Sequence, residues 1–282
     1  MTDADTARLQ EENAALRAEL DETNQGVLAL YAELDNQAAQ LREASELKSR
    51  FLSYMSHEFR TPLGSILSIA RLLTDEMDGP LTDEQKKQVG FVSGAARELS
   101  DMVDDLLDLA KIEAGRITIS PAWFELMDLF SALRGMFRPI VDGTEATLVF
   151  ESPVGLPKLY TDDKKVSQIL RNFISNALKF TPRGEVRVSA SLVEGDQVCF
   201  TVRDTGIGIP EELQHVLFED FTQVDSPLQK RVRGTGLGLS LCKQFAGLLG
   251  GSVGLHSVVG EGSSFFVTLP LALPAEANDD QA

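Results

Sequence analysis

Only two cysteines, Cys199 and Cys242, occur in 282 residues, and they stand at no metal-ligand spacing. That excludes a disulfide scaffold and a thiolate zinc site, and a reducing compartment is the expectation. No apolar run approaches the ~18 residues that a membrane helix needs. The opening residues, MTDADTAR, are polar and acidic, which is not the pattern of a signal peptide. Basic side chains are scarce: 26 Lys and Arg stand against 43 Asp and Glu, for a net charge of −17. Nucleic acid is therefore not an expected partner, because little would neutralise its phosphates, although room remains for a small basic patch around a nucleotide. A soluble, cytoplasmic chain with no membrane span is expected.

The apolar share of 43% is ordinary and supports a sizeable core, and the length suggests about two domains. The first 45 residues carry a seven-residue pattern. Leu9, Leu16, Thr23, Leu30, Gln37, Ala44 and Phe51 form one row, and Asn13, Leu20, Val27, Leu34, Leu41 and Lys48 the complementary one. This reads as a coiled coil, preferably a parallel dimer whose polar seam residues fix register and weaken pairing. The alternative is a single solvated helix. Gly26 apart, no Gly or Pro separates the seam from the stretch that follows, so one continuous helix can carry a twist or register shift.

Phe51 to Leu73 reads as an amphipathic helix with Leu52, Met55, Phe59, Leu63, Ile66, Ala70 and Leu73 on its apolar stripe. His57 is two residues from Phe59, nearly opposite at about 100° per residue, so its imidazole is expected in water. Glu58 adjoins it, Thr61 lies one turn on, and Pro62 removes the donor to the Glu58 carbonyl. Asp78-Gly79-Pro80 marks a turn, and Thr82 with Gln85 resembles a capping box. A second helix then carries Val92, Ala95, Leu99, Met102, Leu106, Leu109 and Ile112 on one stripe, up to Gly115. Such a hairpin cannot bury its stripe alone, so an obligate homodimer forming a four-helix bundle is expected.

From residue 117 strands and helices alternate. Strands are expected at Ile117–Ile119, Thr147–Glu151, Glu185–Leu192, Gln197–Arg203, Ser252–Ser257 and Ser264–Leu269, and helices at Asp128–Ile140, Lys164–Lys179 and Leu237–Leu249. Together they suggest an α/β sandwich with helices on one sheet face. From Pro270 on, a disordered tail is expected.

Four constellations in this part suit nucleotide chemistry. Asn172 and Asn176 share a helix face with Lys179 after them; amide oxygens are hard ligands for Mg²⁺, and lysine offers a point charge to phosphate. Asp204-Thr-Gly206-Ile-Gly208 follows a strand, where a carboxylate can accept from an exocyclic amine and glycines admit a flat ring. Gly234-Thr-Gly236-Leu-Gly238 opens a helix whose free N–H groups suit phosphate. Gly260-Glu-Gly262-Ser263 precedes the last strand and can place a hydroxyl near the base. Singly, each also fits a tight turn or a solvated helix face.

Their order is more specific than any one piece. RNFISNALKFTP, DTGIGIP, FEDFTQ, GTGLGLSL and GEGSSF resemble the N, G1, F, G2 and G3 boxes of the Bergerat-fold ATPases. Lys179-Phe180-Thr181 with Phe218 and Phe221 resembles the histidine-kinase branch. HEFRTP, at His57 to Pro62, is similar to the phospho-acceptor box of sensor histidine kinases, and DLAKIEAGRI to the end of their dimerisation hairpin. Relatives that hydrolyse ATP place a glutamate where Asn172 stands, and its absence suits transfer to a side chain.

The resemblance implies four regions: a coiled-coil signalling helix (1–45), a dimerisation and phosphotransfer domain (46–116), an ATP-binding domain (117–272) and a disordered tail (273–282). It implies ATP and Mg²⁺ as cofactors. Asn176 would hold the metal with Asn172 supporting it, and Lys179 would meet phosphate. Asp204, Gly206, Gly208 and Ser263 would shape the base site. Gly234, Thr235, Gly236, Leu237 and Gly238 would anchor a lid running from about Glu211 to Arg233. Of its Lys230, Arg231 and Arg233, one would touch the γ-phosphate; the alternative is a solvated loop. His57 would be the acceptor, Glu58 would orient or deprotonate its ring, and Thr61 would position water in dephosphorylation. His215 and His256 match no motif position and read as structural. The expected activity is autophosphorylation of His57 followed by transfer to a separate response regulator receiver domain. The rivals are a nucleotide-binding dimeric scaffold and a regulator-directed phosphatase. No sensor domain is recognisable before the seam, so input is expected from an upstream sensor protein or a removed region.

Overall fold

The computed structural model describes residues 3–77, 79–153, 155–193, 195–219, 222 and 236–274. The chain divides between Met55 and Ser56 into two units. Helix α1 (Asp3–Thr74) takes in both the heptad rows and the His57 stretch. In the first unit the described row residues Leu16, Leu20, Val27, Leu30, Leu34 and Leu41 are all exposed. One copy of the chain therefore leaves its apolar seam uncovered.

In the second unit, the end of α1 is followed by α2 (Asp83–Glu113). The turn between them is held by the Gly79 N–H on the Glu76 carbonyl at 3.1 Å and by Lys86, 2.7 Å from the Glu76 carboxylate; Asp78 lies outside the described residues. Thr82 caps α2 as its sequence suggests. The Gln85 N–H donates to Thr82 Oγ1 at 3.3 Å, and the Thr82 N–H donates to Gln85 Oε1 at 2.8 Å. At the far end Gly115 takes φ 63°, and the Arg116 N–H returns to the Lys111 carbonyl at 2.8 Å, closing the helix. Arg60 of α1 meets Asp104 of α2 at 2.6 Å.

The remainder is a five-stranded sheet with helices packed on it. The elements are β1 (Ala122–Phe124), α3 (Leu126–Val141), β2 (Glu145–Phe150), β3 (Leu159–Thr161), α4 (Asp163–Phe180), β4 (Arg183–Val193), β5 (Gln197–Asp204), α5 (Glu211–Gln214), α6 (Gly238–Leu248), β6 (Ser252–Val258) and β7 (Gly262–Pro270). The sheet order is β2-β4-β5-β7-β6, with β2 and β4 parallel and every other pair antiparallel. Alternate residues of the central strands, Val198, Phe200 and Val202 on β5 and Phe265, Val267 and Leu269 on β7, face one side. Against them lie Val166, Ile169, Leu170, Phe173, Ile174 and Ala177 of α4, with Leu241, Phe245 and Ala246 of α6. Each fully buried large side chain there contributes roughly 1.5–3 kcal/mol. Asp162 caps α4, accepting from the N–H groups of Lys164 and Lys165 at 3.1 Å each. The sheet ends and the start of α6 are thereby brought to one edge of α4.

Two expectations are corrected. Ile117–Ile119 is not a strand: both isoleucines pack on the core, but the backbone pairs with no strand there. Pro121 follows, without a donor, and the strand that forms is β1, antiparallel to β3. The tail does not begin at Pro270. The Leu271 N–H donates to the Asp196 carbonyl at 2.9 Å and the Leu273 N–H to the Tyr160 carbonyl at 2.8 Å. Both leucines pack on the core, and residues 275–282 lie outside the described residues.

Candidate functional site

The first group of predicted residues sits on one turn of α1. His57, Glu58 and Thr61 are exposed, while Ser56 is buried, as the 3.6-residue period requires. Thr61 Oγ1 donates to the His57 carbonyl at 3.2 Å and Ser65 Oγ to the Thr61 carbonyl at 3.1 Å. These extra bonds flank Pro62, the position at which the backbone donor is missing. His215 and His256 are both exposed, so neither serves as a core histidine.

The second group is a polar cradle at the ends of the sheet. Asp204, the last residue of β5, is only 4% exposed. Its Oδ1 accepts from the Gly206 N–H at 2.8 Å and from the Ser263 N–H at 3.2 Å. Burial pushes this carboxyl above the usual range, and those two N–H groups pull the other way. The Gly206–Ile209 turn is tied to the Gly260–Ser263 turn: the Gly260 N–H donates to the Ile207 carbonyl at 2.9 Å and the Ile209 N–H to Ser257 Oγ at 2.8 Å. Gly208, at φ 69°, lies against the Val258 carbonyl, where any side chain would collide. Ser263 is buried, and its hydroxyl is 2.9 Å from that of Ser257.

Opposite stand the amides of α4. Asn176 Nδ2 donates to Asn172 Oδ1 at 3.0 Å, so the Asn176 amide oxygen is not consumed by this bond. Gly238, first residue of α6, faces Asn172 so closely that a side chain would strike its Nδ2. Lys179 is half-buried. That burial lowers its pKa, and Glu98 of α2 works in the opposite direction. Leu237 is in the core, its carbonyl accepting from the Leu241 N–H and the Ser240 hydroxyl at 2.9 Å each, and Gly236 takes φ 74°. Arg233, Gly234 and Thr235, with Lys230, Arg231 and Phe221, lie outside the described residues. Phe218 packs on the core.

Two polar side chains were not singled out in the sequence for this cradle. Ser257 joins the two glycine turns. Thr181, directly after α4, is fully buried beside Asp204, and its hydroxyl joins the Gly206 and Ser263 N–H groups in pulling that carboxyl's pKa down against burial. Thr181 Oγ1 and Asp204 Oδ1 each lie 2.8 Å from the point a Gly206 Cβ would occupy. Thr181 stands within the RNFISNALKFTP stretch, where it enters only as part of the Lys179-Phe180-Thr181 resemblance, with no role assigned in the site.

Comparison with known proteins places these two groups in separate families. The family described as His Kinase A (phospho-acceptor) domain matches residues 47–115. The family described as histidine kinase-, DNA gyrase B-, and HSP90-like ATPase matches residues 161–273. The chain is 35% identical over 235 residues to the autoinducer 2 sensor kinase/phosphatase LuxQ of Vibrio parahaemolyticus, covering 81% of this chain and 27% of LuxQ. It is 37% identical over 247 residues to the circadian input-output histidine kinase CikA of Synechococcus elongatus, covering 86% of this chain and 33% of CikA. The chain thus spans about a third or less of these relatives. Among solved structures, full-length ShkA in complex with AMPPNP is 35% identical with a TM-score of 0.63, over 80% of this chain and 46% of ShkA.

Proposed function

The chain belongs to the sensor histidine kinases, and from that premise we propose that it phosphorylates its own His57 from ATP and passes the phosphoryl group to an aspartate of a separate response regulator. The observation that carries the reading is the cradle of buried Asp204, paired glycine turns and paired amides, in one unit with an exposed histidine. Residues 46–116 would present the acceptor and the ATP-binding domain, 117–272, the donor.

The residues suit the groups they are asked to hold. Beside Asp204 the buried Thr181 hydroxyl adds a second polar group at the proposed base site. Asn176 offers one neutral amide oxygen, and among the described residues no cluster of three or more His, Cys, Asp or Glu competes for a metal. One protein oxygen fits Mg²⁺, which keeps waters and takes other ligands from phosphates. Bound there, the ion would neutralise charge on the triphosphate.

Asp204 accepts from the exocyclic amine of the base, between the Gly206 and Gly208 turns. Lys179 holds a phosphate oxygen and Asn172 fixes the orientation of Asn176; Arg233 and the glycine motif Gly234 to Gly238, which lie partly outside the described residues, would supply further phosphate contacts. His57 Nε2 attacks the γ-phosphorus in line. The Nε2–P bond forms, the bond to the bridging oxygen breaks, and ADP leaves. Glu58 orients the ring through Nδ1 and takes up its proton. The receiver's aspartate then displaces His57 from phosphorus. The dimer expected from the uncovered stripes would supply the four-helix bundle in which this happens, fed by the coiled coil, in the cytoplasm where ATP is found.

A regulator-directed phosphatase is the second reading. Thr61 lies one turn from His57, and LuxQ is described as a kinase/phosphatase. The test is incubation with γ-labelled ATP. Label that is acid-labile, alkali-stable and absent from His57→Ala is expected; acid-stable label, or label that survives the substitution, defeats the proposal. A chain that binds nucleotide without labelling is a scaffold.

A further inference from the structure

Helix α2 carries Glu98, Asp101, Asp105 and Asp108 at steps of three and four residues, on one face. Helix α4 carries Gln168, Arg171, Asn172 and Lys179 on one face likewise. The two faces meet in antiparallel order. Gln168 Nε2 donates to Asp108 Oδ2 at 2.8 Å. Asp105 and Asn172 line one small cavity together with Gly238. Arg171 is the cation acting on Asp101, and Glu98 the carboxylate acting on Lys179. Beneath this ladder Leu109 of α2 lies in the core of the nucleotide lobe, and Leu106 and Ile112 pack against it.

Two of the four α4 residues, Asn172 and Lys179, are those assigned above to the nucleotide. The carboxylates opposite them carry the same sign of charge as a triphosphate. Glu98 occupies the electrostatic role that a phosphate oxygen would take at Lys179. Asp105 puts a negative group beside the amide pair, well within the ~10 Å over which such charges repel at moderate salt. Any ligand that binds better when two surfaces are apart must, by linkage, push them apart.

We propose that the acidic face of α2 competes with the triphosphate for α4, so that the docked arrangement is a low-affinity holding state and nucleotide binding releases the lobe from α2. This rests on the nucleotide reading above. Release frees the lobe for motion toward His57, and tight docking holds the kinase silent without any additional domain.

The test is titration of a fluorescent ATP analogue with Mg²⁺ against the whole chain and its Glu98→Gln/Asp105→Asn variant. Two partly exposed charge pairs are together worth roughly three- to tenfold in affinity, and tightening of that size is expected in the variant. In parallel, Asp108→Cys/Gln168→Cys reports docking through cross-linking by a short bifunctional thiol reagent, because the native pair meets only at its side-chain ends. The link is expected to form without nucleotide and to form several-fold more slowly with a non-hydrolysable ATP analogue and Mg²⁺. Equal affinities, or a link indifferent to saturating nucleotide, overturn this inference and leave the nucleotide site standing. No binding in either protein overturns the site itself, and binding only in the variant supports the competition.

Discussion

The backbone of Gly238 lies against the side-chain amide of Asn172 with no room for a methyl group between them. The start of α6 and the middle of α4 are thus fitted to each other at the point where the phosphates are proposed to lie. Gly238→Ala forces Asn172 aside and breaks its bond with Asn176, at 3.0 Å in the native arrangement. Overpacking of this kind costs about 1–3 kcal/mol. The expected outcome is a modest fall in melting temperature with at least a tenfold loss in affinity for an ATP analogue, read by thermal denaturation and by titration. A variant that binds as well as the parent would show that Asn172 plays no part in holding nucleotide.

Asp204 makes the site sensitive to acid. Burial raises its pKa above the ordinary value, against the opposing pull of the Gly206 and Ser263 N–H groups. A raised native pKa means that the folded protein disfavours the anion relative to the unfolded chain. Asp204 therefore detracts from stability above its native pKa, and that penalty is relieved as pH falls through it. Base recognition has the opposite sign, because the exocyclic amine needs the anion. Affinity for an ATP analogue is expected to weaken as the pH falls, starting at a higher pH than an ordinary aspartate would require. Inorganic triphosphate, which lacks the base, serves as the control for phosphate protonation. Asp204→Asn should bind at least tenfold more weakly, lose the base-specific part of the pH profile, and melt no lower than the parent at neutral pH.

What was legible in the sequence is local. Thr82 and Gln85 are three residues apart, and both halves of their capping box form. The apolar residues of α4, Val166, Ile169, Leu170, Phe173, Ile174 and Ala177, recur at helical spacing in the sequence and are all buried. What failed depended on partners far away in the chain. Ile117 and Ile119 alternate like a strand, but only β1 finds a neighbour, in β3, some forty residues on. Leu271 and Leu273 read as tail until Asp196 and Tyr160 supply their hydrogen bonds. In the site, glycine and asparagine motifs marked the cradle because their backbone chemistry is unusual. Thr181 and the carboxylates of α2 are ordinary in sequence and acquire meaning only from what they face.

The stripe on α2 tests the assembly. Phe91, Val92, Leu99 and Met102 are exposed in the single chain, as are Phe59 and Ile66 of α1. A cluster of large apolar side chains on facing helices marks an interaction surface. If the chain stayed monomeric, Leu99→Glu with Met102→Glu would sit in water and change stability by no more than about 0.5 kcal/mol per site. In a four-helix bundle made from two hairpins, both glutamates would instead enter the seam, where an unpaired charge is strongly destabilising. The parent is expected to sediment as a dimer with a melting temperature that rises with concentration. The double variant is expected to melt lower and to dimerise more weakly, retaining only the pairing of the heptad rows. A parent that sediments as a monomer, or a variant that still dimerises through residues 56–115, would remove the bundle and require another cover for these side chains.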